Sequence, residues 1–249
     1  MVRTLLVRGL WVGLVAGLLV LGFAYLFGEP SIDRAIDFEE QAAHAAGEHH
    51  GAELVSRSVQ STIGLATATA VYGVAFGGIF ALVFSAVSGR VGRFGARATA
   101  ALLALAGFVS VSLVPFLKYP ASPPAANNPE SIGDRTGLYL TMVIISVAVT
   151  IAAIALGRRL VPRHGLWNAT MFAAAAFVLV IAGVQVGLPT VNEVPADFPA
   201  TVLYQFRLAS LGSQAVLWAT LGLMFGWLTE RNLPQARSGA AQLTRMPAG

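Results

Sequence analysis

Three of the chain's four histidines lie within eight residues, in the segment AHAAGEHH at positions 43–50. They are His44, His49 and His50, and Glu48 lies among them. Imidazole combined with carboxylate suits divalent ions of borderline hardness, such as cobalt, nickel or zinc. These residue types are consistent with two roles for the segment. The segment is either a metal-capture site or a solvated acidic helix in which the histidines are incidental.

The spacing of charged residues before this segment predicts a helix that begins at about Ser31, a residue type that can cap a helix. Gly47 weakens that helix where a second pair, His49 and Glu53, would follow. On such a helix five ligand-type side chains recur at steps of three or four residues and share one face: Asp33, Asp37, Glu40, His44 and Glu48.

A second group of oxygen ligands lies in residues 187–212, where Asn192, Glu193 and Asp197 are close together in sequence. They could serve as further metal ligands. The alternative is a re-entrant turn anchored at the membrane interface by Tyr204 and Phe206. Arg207 follows this group, and because an unpaired charge there would be costly we expect it to pair with Glu193 or Asp197.

Residues 114–140 contain five prolines between Pro115 and Pro129, among them Pro120, Pro123 and Pro124. Proline removes a backbone donor and fixes φ, so this segment is predicted to be extended and semi-rigid and to contain no helix.

The composition indicates which elements position these residues. Hydrophobic residues make up 56% of the chain and charged residues 11%, with a mean hydropathy of +0.70. A chain of this kind is an all-α integral membrane protein. Six uncharged stretches reach the length of about 18 residues that marks a membrane-spanning helix: 10–27, 58–89, 98–117, 136–157, 165–192 and 208–229. The first stretch is predicted to be a retained helix, because it is long for a secretory signal and no cleavage pattern follows it.

Charge in the connecting segments supports six spans. Eleven of the sixteen basic residues and one of the twelve acids fall on one side, and five bases and eleven acids on the other. Basic residues accumulate on the cytoplasmic side, so both termini are predicted to be cytoplasmic. The acidic and histidine-containing segments are then extracytoplasmic. The basic segments are short and lack interleaved aromatic residues, which argues against nucleic-acid binding.

Glycines recur every four residues at Gly9, Gly13 and Gly17 and again at Gly73 and Gly77. This spacing is typical of closely packed membrane helices. The chain has no cysteine, so thiolate metal sites are excluded. Its one lysine, Lys118, precedes Tyr119, which excludes an ATP-binding P-loop. No nucleophile and base pair is evident, so an enzyme is not expected.

Five segments carry a family resemblance: PFLKYPASPPA with RTGLYL, then FPATVLYQFRLASLG with LWATLGLMFGWL, and the earlier FGEPSIDRAI. They resemble the CbtA family of predicted cobalt transporter subunits. The resemblance implies cobalt(II) uptake, a link to cobalamin, and a multi-pass protein of a bacterial or archaeal cell membrane. It also implies a small partner of the CbtB type, with one membrane span and a histidine-rich end. It directs attention to Glu29 with Pro30, to Lys118, Tyr119 and Pro120, and to Arg135.

The sequence therefore predicts a membrane subunit for uptake of a divalent cation that is captured by extracytoplasmic acidic and histidine-containing segments, and the resemblance implies that this cation is cobalt. No permanently bound cofactor is expected. The alternative is a non-transporting scaffold or assembly subunit of another transporter. One membrane domain is expected over residues 1–231, followed by a disordered cytoplasmic tail over 232–249.

Overall fold

The computed structural model describes residues 2–47, 56–90, 92, 94–126 and 131–243, and for residues 46 and 232–243 it describes the backbone alone. Every regular element in these residues is helical. In chain order they are α1 (Val2–Phe23), π1 (Ala24–Gly28), α2 (Glu29–Ala46), α3 (Arg57–Val59), π2 (Gln60–Gly64), α4 (Leu65–Val87), α5 (Ala96–Gly107), π3 (Phe108–Leu113), α6 (Val114–Lys118), α7 (Ile132–Gly187) and α8 (Ala200–Leu243).

Five continuous helices among the described residues are long and apolar enough to cross a membrane: Val2–Ala45, Arg57–Val87, Ala96–Lys118, Ile132–Gly187 and Ala200–Arg231. Their outward faces carry large apolar side chains such as Ile144, Leu179 and Val186, which are at least 70% exposed. Such surfaces are stable against lipid and not against water. The prediction of an all-helical membrane protein is confirmed.

Helix α7 consists of two segments folded back on each other. Gly165 interrupts it with φ 74° and ψ 166°, a backbone conformation that favours glycine. A Cβ on Gly157 would lie 3.3 Å from the Cβ of Ala173, whereas a straight helix would separate these residues by about 24 Å. Met142 and Ile181 likewise share one buried cluster. We call residues 132–164 α7a and residues 166–187 α7b.

The chain divides into two compact units whose segments alternate along the sequence. Unit 1 comprises residues 1–25, 54–105 and 213–249, and unit 2 comprises residues 26–53 and 106–212. Unit 2 contains all three segments that the sequence analysis predicted to be extracytoplasmic, except for the last residues of the first one.

Unit 1 is built on direct backbone contact between α1 and α4. A Cβ on Gly9 would overlap the carbonyl oxygen of Gly77, and one on Gly13 would overlap that of Gly73. Gly17 faces the Thr69 carbonyl in the same way. Glycine allows two membrane helices to approach this closely and gain van der Waals contact. The predicted packing role of these glycines is confirmed.

Within unit 1, α4 also packs against α8 through aromatic rings. Phe225 contacts Phe80 and Phe84 edge to face, with ring centroids 5.4 and 5.1 Å apart, and Phe76 contacts Trp218 at 5.7 Å. Edge-to-face contacts of this kind stabilise packing beyond the burial of apolar area. They hold α4 against α8.

Two helix boundaries differ from the sequence analysis. No helix begins at Ser31, because the chain remains helical from α1 through π1 into α2. The wider turn of π1 precedes Pro30 and accommodates its missing N–H. The prediction that Pro115 lies in a non-helical segment is also wrong, because it lies in the first turn of α6 inside the continuous helix Ala96–Lys118, directly after the wider turn of π3.

The backbone of α8 is helical to Leu243, beyond the apolar part that ends near Arg231. Residues 244–249 lie outside the described part of the chain. A polar helical extension of about 12 residues is marginal by itself in water, so the disorder expected for residues 232–249 stays a prediction.

Candidate functional site

Helix α2 displays the acidic face that the sequence predicted. Asp33, Asp37, Glu40 and His44 follow at helical spacing, and all four are exposed. The helix ends at Gly47, which has φ 72° and donates its N–H to the His44 carbonyl. Glu48, His49 and His50 lie outside the described residues. The structure therefore places one histidine of the cluster at the exposed end of an acidic helix.

The other face of α2 is buried within unit 2. Ala35 packs with Ala126, Phe198 and Val202, and the Phe38 ring lies 5.2 Å from that of Phe198, edge to face. Glu29 and Ser31 are also buried, at 8% and 1% exposure. This packing fixes α2 against the segment that contains Asn192, Glu193 and Asp197.

The segment of residues 119–126 is non-helical and is fixed by specific contacts. The Tyr119 hydroxyl donates to the Pro189 carbonyl at 2.9 Å, and Lys118 Nζ lies 3.4 Å from Thr190 Oγ1. Tyr119 is 3% exposed, and burial raises the pKa of its phenol, so it remains a donor at neutral pH. Pro123 is fully buried, and its carbonyl accepts the Ala126 N–H. The prediction that this segment is not helical is confirmed for residues 119–126, whereas residues 124–126 form a turn and are not extended.

Arg135, in the first turn of α7a, joins three segments of unit 2. Its Nη2 donates to the Pro120 carbonyl at 2.7 Å and to Ser122 Oγ at 3.2 Å, and its Nη1 lies 3.4 Å from Glu193 Oε2. Ser131 Oγ donates to the other carboxylate oxygen of Glu193 at 2.5 Å. We call these five residues the Arg135 cluster. The guanidinium and the carboxylate are 21% and 7% exposed.

An open cleft of about 880 Å³ lies beside the Arg135 cluster, also within unit 2. Its polar lining includes Ser131, Asp134, Thr190, Asn192 and Glu193. Asp134 and Asn192 are exposed to it, whereas the Glu193 carboxylate is largely buried and already bonded to Arg135 and Ser131. The cleft can attract a cation through Asp134 and Asn192, and Arg135 opposes that attraction at Glu193.

Asp134 and Ser131 line this cleft, although neither residue was predicted from the sequence to belong to a site. Both lie within four residues before Arg135, where α7 begins. Their position at a helix start directly after a proline-rich segment could have indicated this role. Polar residues at helix starts are exposed and form hydrogen bonds with neighbouring loops.

The described residues contain no group of three or more histidine, aspartate or glutamate side chains arranged to bind one metal ion. His44 is on α2, Glu29 is buried at the start of that helix, and Asn192 and Glu193 line the cleft. Asp197 is exposed outside the cleft lining. A complete metal site with these residues would need the undescribed Glu48, His49 and His50, or movement of the segments.

Arg207 does not form the ion pair that was expected. Its Nε donates to the Ala121 carbonyl at 3.3 Å, and among the described residues Glu193 pairs with Arg135 instead. Arg135 reaches Glu193 from the adjacent helix start, and Arg207 stabilises the proline-rich segment. The expected pairing of Arg207 with Glu193 or Asp197 is therefore not found among the described residues.

Comparisons with known proteins were made on the whole chain. Residues 2–230 match the family described as Probable cobalt transporter subunit (CbtA). Neither the comparison with curated proteins nor that with solved structures returned a match.

Proposed function

This chain belongs to the CbtA family of probable cobalt transporter subunits, and we propose that it mediates uptake of a divalent metal cation, with cobalt(II) as the ion. The family match over residues 2–230 carries this proposal. The acidic face of α2 and the cleft beside Arg135 support it, because both concentrate negative charge or oxygen ligands in unit 2. Cobalt is the substrate, and no enzymatic role is proposed.

We propose six membrane spans within one membrane domain of residues 1–231, with both ends on the cytoplasmic side. The reversal at Gly165 supports the count, since it divides the 56-residue α7 into two segments that are each long enough to span. Arg158, Arg159 and Arg163 lie just before this reversal and are exposed, as expected for a cytoplasmic turn.

Single cysteines test this topology, because the natural chain contains none. Ala45→Cys and Ala196→Cys, both at exposed positions, should react with an impermeant thiol reagent added outside intact cells. Ser88→Cys and Arg163→Cys, also exposed, should react only after the membrane is opened. External labelling of Arg163→Cys would refute six spans, and external labelling of Ser88→Cys would refute the orientation.

We propose that ions are captured first at the acidic face of α2 and the histidines that follow it. Acidic side chains attract cations even without a coordination site, but salt screens that attraction over about 10 Å at 0.1 M. Coordination by His44, His49 and His50 would resist salt. The two modes of capture therefore respond differently to ionic strength.

Replacing His44, His49 and His50 together by glutamine should raise the cobalt concentration for half-maximal uptake about fivefold and leave the maximal rate unchanged. The reason is that capture increases occupancy at low metal concentration without forming the passage. Uptake kinetics at several cobalt concentrations and at two salt concentrations measure this. His164→Gln, on the turn of α7, is the control. An unchanged cobalt concentration for half-maximal uptake would mean that these histidines do not capture metal and only form a solvated helix end.

Membrane potential can drive this uptake. Moving a divalent ion inward through 100 mV gains about 4.6 kcal/mol, or roughly a thousandfold accumulation. No charged residue lies near the centre of a proposed span, so a proton relay has no evident carrier.

Labelled cobalt uptake by cells that lack other importers tests the function directly, with nickel in parallel because nitrogen and oxygen ligands bind nickel at least as tightly. We propose a small single-span subunit with a histidine-rich end as partner, so purified protein in liposomes should be assayed with and without it. Uptake by neither preparation would favour the alternative of a non-transporting scaffold.

A further inference from the structure

Pro115 alters the hydrogen bonding of the helix that precedes it in unit 2. In an α-helix the residue at position 115 donates its N–H to the Val111 carbonyl, and in a π-helix to the Ser110 carbonyl. Proline has no N–H for either. The preceding turn, π3 (Phe108–Leu113), is in π register, with the Val114 N–H donating to Val109. The Ser110 and Val111 carbonyls are therefore available to other partners.

Side chains from α7 donate hydrogen bonds to these carbonyl oxygens. Ser146 Oγ donates to the Ser110 carbonyl, and the Tyr139 hydroxyl donates to the Val111 carbonyl at 3.3 Å. Gln185 Nε2 donates to the nearby Val114 carbonyl at 3.2 Å. Side chains from both α7a and α7b thus donate hydrogen bonds to neighbouring carbonyls of the helix Ala96–Lys118.

This region is buried and rich in oxygen. Ser110 and Ser112 are each 4% exposed and Ser146 is fully buried. The residues lie inside the helices Ala96–Lys118 and Ile132–Gly187, which are long and apolar enough to span the membrane. Irregular backbone at membrane depth is tolerated where protein surrounds it or where it lines an ion path, and π turns are frequent at functional sites.

We propose that the Ser110 and Val111 carbonyls, with the Ser110 and Ser146 hydroxyls, form a coordination step for the cation as it crosses the membrane. This inference rests on the proposed function. Carbonyl and hydroxyl oxygens replace part of a cation's hydration shell in membrane sites built on interrupted helices. Because the step contains no carboxylate, it binds a divalent ion weakly and releases it readily.

In the arrangement observed here the carbonyls are covered by Ser146 and Tyr139, which corresponds to a closed state. Opening this state requires the side-chain hydrogen bonds from Ser146 and Tyr139 to break. The two side chains thus satisfy the carbonyls by hydrogen bonding while no ion is present, and the ion replaces these hydrogen bonds when it binds.

Pro115→Ala tests the step, because alanine restores the missing N–H and allows the turn to return to α register with its carbonyls occupied. Maximal cobalt uptake is expected to fall at least about tenfold, with half-saturation changed less than about twofold. The melting temperature should stay equal or rise, since a helix-interior proline is replaced. Pro162→Ala, at an exposed position before the α7 turn, is the matched control and should transport normally.

Tyr139→Phe makes the opposite change, because it removes the donor that covers the Val111 carbonyl. Its maximal uptake should equal or exceed that of the wild type. Normal uptake by Pro115→Ala would overturn the inference. So would parallel losses of uptake and melting temperature in Pro115→Ala, or a loss of uptake by Tyr139→Phe, which would assign these residues to folding. A wild type that moves no cobalt would reject the proposed function, and this inference with it.

Discussion

Gly13→Leu is expected to abolish recovery of folded protein from membranes. A Cβ at this position would overlap the Gly73 carbonyl oxygen and lie 3.0 Å from the Gly77 Cα. The obstacle is backbone, so no side chain can rotate to make room. The cost therefore exceeds the about 1–3 kcal/mol typical of an overpacked core, because α1 and α4 must separate and lose the contacts on which unit 1 is built. The yield of monodisperse protein after detergent extraction measures the effect.

Gly22→Leu is the matched control, since Gly22 is on the same helix and a Cβ there would have no neighbour within 4 Å. It should be recovered at wild-type yield, because glycine in an exposed helical position offers no advantage over a larger residue. Equal recovery of both variants would mean that α1 and α4 do not pack through their glycines. A comparable loss in both would indicate that any added bulk on α1 is harmful.

Arg135→Ala should cause the second-largest loss, a destabilisation of about 2–4 kcal/mol. Among the described residues, the change leaves the Glu193 carboxylate, 7% exposed, with Ser131 as its remaining hydrogen-bond partner, and it frees the Pro120 carbonyl. Breaking a buried charge pair on one side is costly because the remaining charge stays desolvated. A fall in melting temperature of the purified protein in detergent measures it, along with faster proteolysis of the proline-rich segment.

The Arg97 and Glu230 pair of unit 1 provides the contrast, since its side chains are 58% and 42% exposed. Arg97→Ala should cost less than about 1 kcal/mol, because water and salt screen an exposed pair. The double variant Arg135→Gln with Glu193→Gln should be more stable than Arg135→Ala, as it leaves no unpaired buried charge. A double variant as unstable as the single one would show that Arg135 acts only through the Pro120 and Ser122 contacts.

The sequence by itself determined the membrane character, because six long apolar stretches cannot be buried in one soluble core. It also determined that the glycine stripes pack, since small residues at a spacing of four let membrane helix backbones approach closely. The acidic face of α2 followed from helical periodicity alone. These features depend on composition or on local spacing, and both can be read directly from the sequence.

Only the tertiary structure decided which charged residues meet. Glu193 is 58 residues from Arg135 and much closer in sequence to Arg207, yet it pairs with Arg135 because α7a folds back beside residues 188–193. The continuation of the helix through Pro30 and Pro115 was likewise undetermined, since proline predicts a break unless neighbouring turns widen to π register. The donors that reach the Ser110 and Val111 carbonyls come from α7, whose position depends on the reversal at Gly165 and on long-range packing. Local sequence sets the helices, whereas pairing across the fold depends on contacts between distant segments.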